Sequence, residues 1–247
     1  MRELVLVGCC GFPVRRDAYV AEFPVVEVQQ TFYQLPSVST ARRWRDQAPP
    51  GFVHTMKAWQ LITHSPASPT YRRLREPLRG SPDAYGSFRP TPEVQEAWRR
   101  TLEVALALEA RVVVFQCPAS FRPTERHVAD LRGFFERAPR DGLALAWEPR
   151  GGWPPELVRE LCVELDLVHC VDPFSGREVH GGFAYWRLHG VGGYRYRYTD
   201  DDLRALLGRC REALEAGRAP VYVLFNNLAM LEDARRFRAL LREAGTL

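Results

Sequence analysis

Apolar residues cluster in eight short runs separated by longer stretches of mixed polarity. The runs cover residues 4–7, 25–28, 52–56, 112–115, 143–147, 167–171, 184–188 and 221–225. They are rich in β-branched or aromatic side chains and bounded by Gly, Pro or charge, which is how a strand buried on both faces reads. Most intervening stretches are amphipathic with a helical period. Thr91-Pro92-Glu93 supplies a capping hydroxyl and a proline at the first helical position, and opens a helix through residues 94–108. Thr124-Glu125 opens another, to about Arg137. Thr199 with Asp200, Asp201 and Asp202 opens a third, its acids set against the positive end of the helix dipole. Further helices are expected at residues 15–22, 39–47, 155–164 and 232–244. Residues 173–182 are too few and too Gly-rich for a proper helix, so the sixth crossover is irregular.

Alternating strand and helix implies parallel strands. Eight of them in 247 residues match a (β/α)8 barrel. The competing architecture, an open nucleotide-binding sheet, would carry G-x-G-x-x-G after the first strand, where this chain has Gly8-Cys9-Cys10-Gly11. The expected fold is therefore α/β: a single TIM-like barrel domain over residues 1–247, with a long loop after the third strand. No internal repeat or interdomain linker stands out.

Composition narrows the setting. A hydrophobic content of 46% supports a sizeable core. No run approaches the roughly 20 apolar residues of a membrane span. Met1-Arg2-Glu3-Leu4 leads into the first strand without a signal-peptide pattern. The six cysteines show no C-x-x-C or finger spacing, so reduced thiols and a cytoplasmic location are expected. The net charge of +4 is interspersed, which makes nucleic acid an unfavoured partner and a small-molecule ligand the expected one. Cys9 and Cys10 have no base in their own loop and read as small buried thiols rather than nucleophiles.

Lysine occurs once, at Lys57, against 33 arginines; isoleucine occurs once, at Ile62, and asparagine only at Asn226 and Asn227. These residues have AT-rich codons, so a GC-rich genome is inferred, and the high Arg and Pro also fit a thermophile. Exposed Lys drifts to Arg at little cost, except where a compact ammonium is needed rather than a planar fork. Lys57 and the asparagine pair therefore mark candidate positions.

In such a barrel the active site lies at the C-terminal ends of the strands. Those ends read, in order, Cys9, Glu27 with Gln29, Lys57, Gln116, Glu148 with Arg150, Asp172, Arg187 with His189, and Asn226. Residues two apart on a strand share a face, which pairs Glu27 with Gln29, Glu148 with Arg150 and Arg187 with His189. The opposite strand ends begin mostly with apolar or small residues, so the polarity is one-sided. Lys57 and Glu148 are the acid–base candidates: burial favours a neutral amine, whereas next to Glu27 Lys57 would stay charged and bind an anion, and an apolar surround at Trp147 and Pro149 favours a protonated carboxyl, which Arg150 opposes. Glu27, Asp172 and His189 are further catalytic candidates. Gln29, Tyr33, His64, Gln116, Arg150, Arg187 and Asn226 are candidates to bind ligand. His54, His127 and His180 read as surface or packing residues, and His169 as structural.

Two loops add to the picture. Residues 63–90 are rich in Pro, Ser, Gly and Arg and leave the third strand on the active face, in position to close over a ligand. Gly190-Val191-Gly192-Gly193 follows the seventh strand, where barrels often bind phosphate.

Taken together, Val-Gly-Cys-Cys-Gly-Phe, Val-Glu-Val-Gln-Gln-Thr-Phe-Tyr, the Met-Lys…Ile-Thr-His block, Phe-Gln-Cys-Pro-Ala-Ser-Phe, Trp-Glu-Pro-Arg, Arg-Leu-His-Gly and Phe-Asn-Asn resemble the YecE-like proteins, domain of unknown function number seventy-two. The resemblance runs in order from about Gly8 to Asn227. It implies a TIM-like barrel and no particular reaction. It covers Glu27, Thr31, Phe32, Tyr33, Lys57, Thr63, His64, Gln116, Glu148, Arg150, Asp172, Arg187, His189 and Asn226. Cys10, Phe12 and Cys117 depart from its pattern.

Three functions compete. The first is an enzyme without a cofactor that acts on a small anionic or polyhydroxylated ligand. The second is a hydrolase or isomerase with a divalent metal on Glu148, Asp172 and His189, although Lys57, Arg150 and Arg187 compete for those carboxylates. The third is a nucleic-acid-associated protein using Gly193-Tyr194-Arg195-Tyr196-Arg197-Tyr198. A two-carboxylate glycosidase is disfavoured, because the ends of strands four and seven carry Gln116 and His189.

Overall fold

The computed structural model describes residues 4–245, and the expectation attached to residues 1–3 lies outside them. Eight strands, β1 (Val5–Cys10), β2 (Val25–Val28), β3 (Val53–Lys57), β4 (Val112–Gln116), β5 (Ala144–Glu148), β6 (Val168–Val171), β7 (Ala184–Leu188) and β8 (Val221–Phe225), are hydrogen-bonded in chain order and close into a barrel. Pairing is parallel throughout, including β1 with β8. The helices are α1 (Arg16–Glu22), α2 (Gln30–Tyr33), α3 (Val38–Asp46), α4 (Gln60–Thr63), α5 (Pro92–Ala107), α6 (Glu125–Arg137), α7 (Pro155–Glu164), α8 (Asp200–Glu215) and α9 (Met230–Glu243). Among the described residues no helix connects β6 to β7, as the Gly-rich crossover foretold. Among the described residues no helix is long and apolar enough to cross a membrane.

The anticipated helix starts form for the anticipated reasons. The Thr91 hydroxyl accepts from Val94 N and that of Thr124 from His127 N. Thr199 and Asp202 cap each other reciprocally at the start of α8.

The strands run further than their apolar runs. β3, β4 and β5 continue through Lys57, Gln116 and Glu148, because these polar groups find partners along the strand ends. β1 continues through Cys10, so Gly8 lies within the strand. A Cβ on Gly8 would lie 2.1 Å from the Val25 carbonyl oxygen; the glycine lets two strands approach closely.

Two compact units make up the chain: one takes in residues up to Glu27, Ala48–Val53 and the chain from Val168, the other Val28–Gln47 and His54–Leu167. In the second unit Phe88, Phe115, Phe121, Phe134 and Phe135 build an aromatic core between strands and helices, with centroids 4.9–6.1 Å apart. In the first, Phe225 packs on Tyr198 and Phe237.

Register sorts the faces. In the first unit Cys10 pairs with Glu27, Gly8 with Leu224, and Arg187 with Leu224, so Cys10, Glu27, Tyr185 and Arg187 share the interior face. In the second, Lys57 is level with Val114 and Ala146, and Gln116 with Glu148, again all on one face.

Candidate functional site

In the second unit the ends of β3, β4 and β5 carry a connected polar cluster. Lys57 is 5% exposed; its Nζ donates to Gln116 Oε1 at 3.0 Å and lies 3.8 Å from the centroid of the Phe32 ring. Phe32 is delivered by α2, whose Thr31 hydroxyl sits 2.8 Å from both the Val28 and the Lys57 carbonyl oxygens, and shares its proton between them. An ammonium over an aromatic face gains charge–quadrupole energy.

His64 follows α4. Its Nδ1 is 2.8 Å from the Thr63 hydroxyl, and its ring meets Phe32 edge-on at 4.8 Å. Burial, then the charges of Lys57 and Arg150, pull its pKa down to about 3. The imidazole is therefore neutral near pH 7. Tyr33 gives its ring to the Arg73 guanidinium, 3.6 Å from the centroid, and its carbonyl to Gln60 Nε2.

Glu148 accepts two hydrogen bonds on one oxygen, from Arg150 Nε at 3.0 Å and Nη2 at 2.6 Å. The expectation that Trp147 desolvates this carboxylate fails. Trp147 alternates to the opposite face, where its Nε1 donates to Cys117 Sγ and its ring meets Trp153. Arg150 is a direct partner. Gln29 also departs from expectation: its backbone is already helical (φ −81°, ψ −29°), so the two-apart strand relation with Glu27 does not hold.

The first unit carries its own cluster. Glu27 is wholly buried; one oxygen pairs with Arg187 Nη2 at 3.1 Å and the other accepts from the Tyr185 hydroxyl at 2.8 Å. Tyr185 went unnoticed in the sequence, although it stands two residues before Arg187 and so on the same face. Cys10 lies on that face too, its thiol pushed up by burial and by Glu27. Cys9, by contrast, was misplaced among the pocket groups. It points at α9, 3.5 Å from the Met230 carbonyl, and burial pushes its thiol up to about 12. Neither cysteine offers a thiolate near neutral pH.

Asp172 ties β6 to β7. Its Oδ1 accepts from Phe174 N at 2.9 Å and its Oδ2 from His189 N at 2.8 Å, with His189 Nδ1 3.5 Å from that same oxygen. Among the described residues no group of three or more His, Cys, Asp or Glu side chains is placed to hold a metal ion. Asn226 extends the β8 ladder, its N–H on the Leu188 carbonyl, while its half-buried side chain makes no such bond. Asn227 is structural: its buried amide donates to Tyr196 O and Asp233 Oδ2.

Both loops are held by hydrogen bonds of their own. The glycines after β7 close a tight turn, Gly193 N on Gly190 O, and Gly190 N donates to the Tyr198 hydroxyl rather than facing a phosphate. In the aromatic–basic segment beyond, Tyr196 donates to Asp202, Arg197 pairs with Glu232, and Tyr198 is buried. Tyr194 is the exposed one of its three tyrosines, its ring edge-on to His189 with centroids 6.0 Å apart. The chain from Thr63 to Pro90 is folded down, not splayed. Gly86 N and Phe88 N bond the carbonyls of Leu61 and Ile62, and Tyr71 donates to His64 O.

The family model described as "Protein of unknown function DUF72" matches residues 14–247. A solved DUF72 family protein from Enterococcus faecalis V583 superposes with a TM-score of 0.73 at 20% identity, over 97% of this chain and 98% of that one. One from Thermotoga maritima MSB8 gives 0.69 at 20% identity, over 97% and 99%. A xylose isomerase domain protein from Planctomyces limnophilus gives 0.60 at 13% identity, over 98% and 97%, a likeness of fold alone. No curated protein matches the sequence.

Proposed function

From the premise that the chain belongs to the DUF72 family, we propose that it is an enzyme for a small anionic or polyhydroxylated ligand, bound at the ends of β3, β4 and β5. The observation that carries this reading is the environment of Lys57: a buried ammonium at a strand end, aimed at an amide oxygen and lying on an aromatic face. A compact ammonium set at a strand end beside other polar strand-end groups is a cation that a small anionic or hydroxyl-bearing ligand can engage. In this reading Lys57 and Glu148 exchange a proton with the substrate. Arg150 and neutral His64 hold its negative or hydroxyl groups, and Gln116 orients Lys57. The fold shared with a protein named for xylose isomerase keeps sugars among the ligands to try.

The test is calorimetric titration and a turnover screen with inorganic phosphate, sugar phosphates, hydroxycarboxylates and free pentoses, on the wild type and Lys57→Arg. An arginine keeps the charge but cannot place a compact ammonium on Gln116 and Phe32. Binding weakens at least about tenfold in Lys57→Arg while circular dichroism and Tm hold. An arginine variant that binds and turns over like the wild type sinks the proposal.

A further inference from the structure

His64 is fixed at every point except one ring nitrogen. Its main-chain N–H donates to Gln60 O at 2.8 Å and its carbonyl accepts from the Tyr71 hydroxyl at 2.8 Å. Its ring is 5% exposed and wedged edge-on against Phe32, with Nδ1 on the Thr63 hydroxyl. Nε2 has no hydrogen-bond partner among the described residues, yet it does not count among the buried side-chain atoms left unpaired, so it opens onto accessible space.

The tautomer follows from counting protons. A neutral imidazole has one N–H, on Nδ1 or on Nε2. The Thr63 hydroxyl is 1% exposed and makes one side-chain hydrogen bond, to Nδ1. If Nδ1 carried the proton and donated, the hydroxyl hydrogen would be buried without an acceptor, which is the costly way to leave a polar group. If the hydroxyl donates to Nδ1, its only proton is used and the imidazole proton stands on Nε2, at the open side. Protonating both nitrogens is opposed by burial and by the nearby Lys57 and Arg150 charges.

We infer that Thr63 locks His64 in the Nε2–H tautomer, making it a neutral hydrogen-bond donor at the ligand face of the second unit. This deepens the reading above, on which its ligand contact rests. A neutral donor of this kind polarises a carbonyl or carboxylate without adding a mobile proton. The arrangement suits a substrate with an electronegative oxygen beside the group held by Lys57. Thr63 is a positioning residue in this scheme and touches no ligand.

Long-range proton–nitrogen correlation spectra of the ¹⁵N-labelled protein test it directly, with the His64 signals assigned by their absence in His64→Gln. The expected spectrum shows an unprotonated Nδ1 and a protonated Nε2, unchanged from pH 5 to pH 8. In Thr63→Val the single tautomer gives way to an averaged pair, and Thr63→Ser restores it. A wild-type protein with Nδ1 protonated, or with averaged nitrogens, overturns the inference. So does a Thr63→Val variant that keeps the Nε2–H tautomer unchanged. Adding inorganic phosphate to the same sample separates the two proposals. A shift of the Nε2 signal that is lost in Lys57→Arg supports anion binding. An unresponsive spectrum counts against the anionic-ligand reading and leaves the tautomer assignment standing.

Discussion

Neither Glu27 nor Arg187 reaches solvent, yet they form an ion pair of 3.1 Å with side chains 0% and 1% exposed. Removing the cation alone takes a charged partner from a carboxylate held in the barrel interior, which keeps the Tyr185 hydroxyl. Breaking a buried pair from one side costs about 3–5 kcal/mol, whereas replacing both partners costs much less. Arg187→Met should therefore lower stability in urea denaturation by about that much, and adding Glu27→Gln should recover part of it. A loss under about 1 kcal/mol in the single variant would show that the other partners of Glu27, the Tyr185 hydroxyl among them, hold its charge.

The two asparagines should separate cleanly. Asn227→Ala strips hydrogen bonds of 2.8 and 2.7 Å from Tyr196 O and from Asp233, itself wholly buried. The expected cost is about 1–3 kcal/mol. Asn226→Ala should fall within about 0.5 kcal/mol of wild type. Equal effects in thermal denaturation would contradict this division of labour.

His64 gives a signed pH dependence. Its folded-state pKa is depressed, about 3 against an ordinary 6.5. Above pH 6.5 both folded and unfolded chains hold it neutral, and it contributes nothing. Below, the unfolded chain alone takes the proton, so stability falls by up to about 1.4 kcal/mol per pH unit down to about pH 3. Between pH 7 and pH 5 that amounts to about 2 kcal/mol. His64→Gln should flatten that part of the profile; an unchanged slope would mean that His64 titrates normally.

Elemental analysis of untagged protein, purified without chelators, addresses the metal alternative. The lysine-centred reading expects well under one equivalent of transition metal. About one equivalent, lost in Glu148→Ala, would move the assignment to a metal-dependent hydrolase or isomerase.

The barrel was legible because parallel strands buried on both faces leave continuous apolar runs, and because Thr91, Thr124 and Thr199 announce helix starts by their own hydrogen bonds. The site was legible where strand parity applies. Glu27, Lys57, Gln116, Glu148 and Arg187 all share the interior face of their strands. It failed where the backbone leaves the strand conformation, as at Gln29, or where the apolar run ended before the strand did, as at Cys9 and Cys10. Partners were the other gap. Nothing local says that Trp147 turns from Glu148, that Gly190 gives its N–H to Tyr198, or that Asn227 spends its amide on a helix of its own unit.

Gly86 anchors the chain that follows α4 beside the backbone of His64. It sits at φ +77°, and a single added methyl there would come within 2.3 Å of the His64 carbonyl oxygen. Residues 80–83, only a few positions away, are exposed. The segment therefore has a fixed anchor and a free tip. Insertions between Gly80 and Asp83 should be borne easily, which makes this the place to graft an affinity tag or a fluorescent reporter. The smallest change at Gly86, by contrast, would be transmitted to the imidazole.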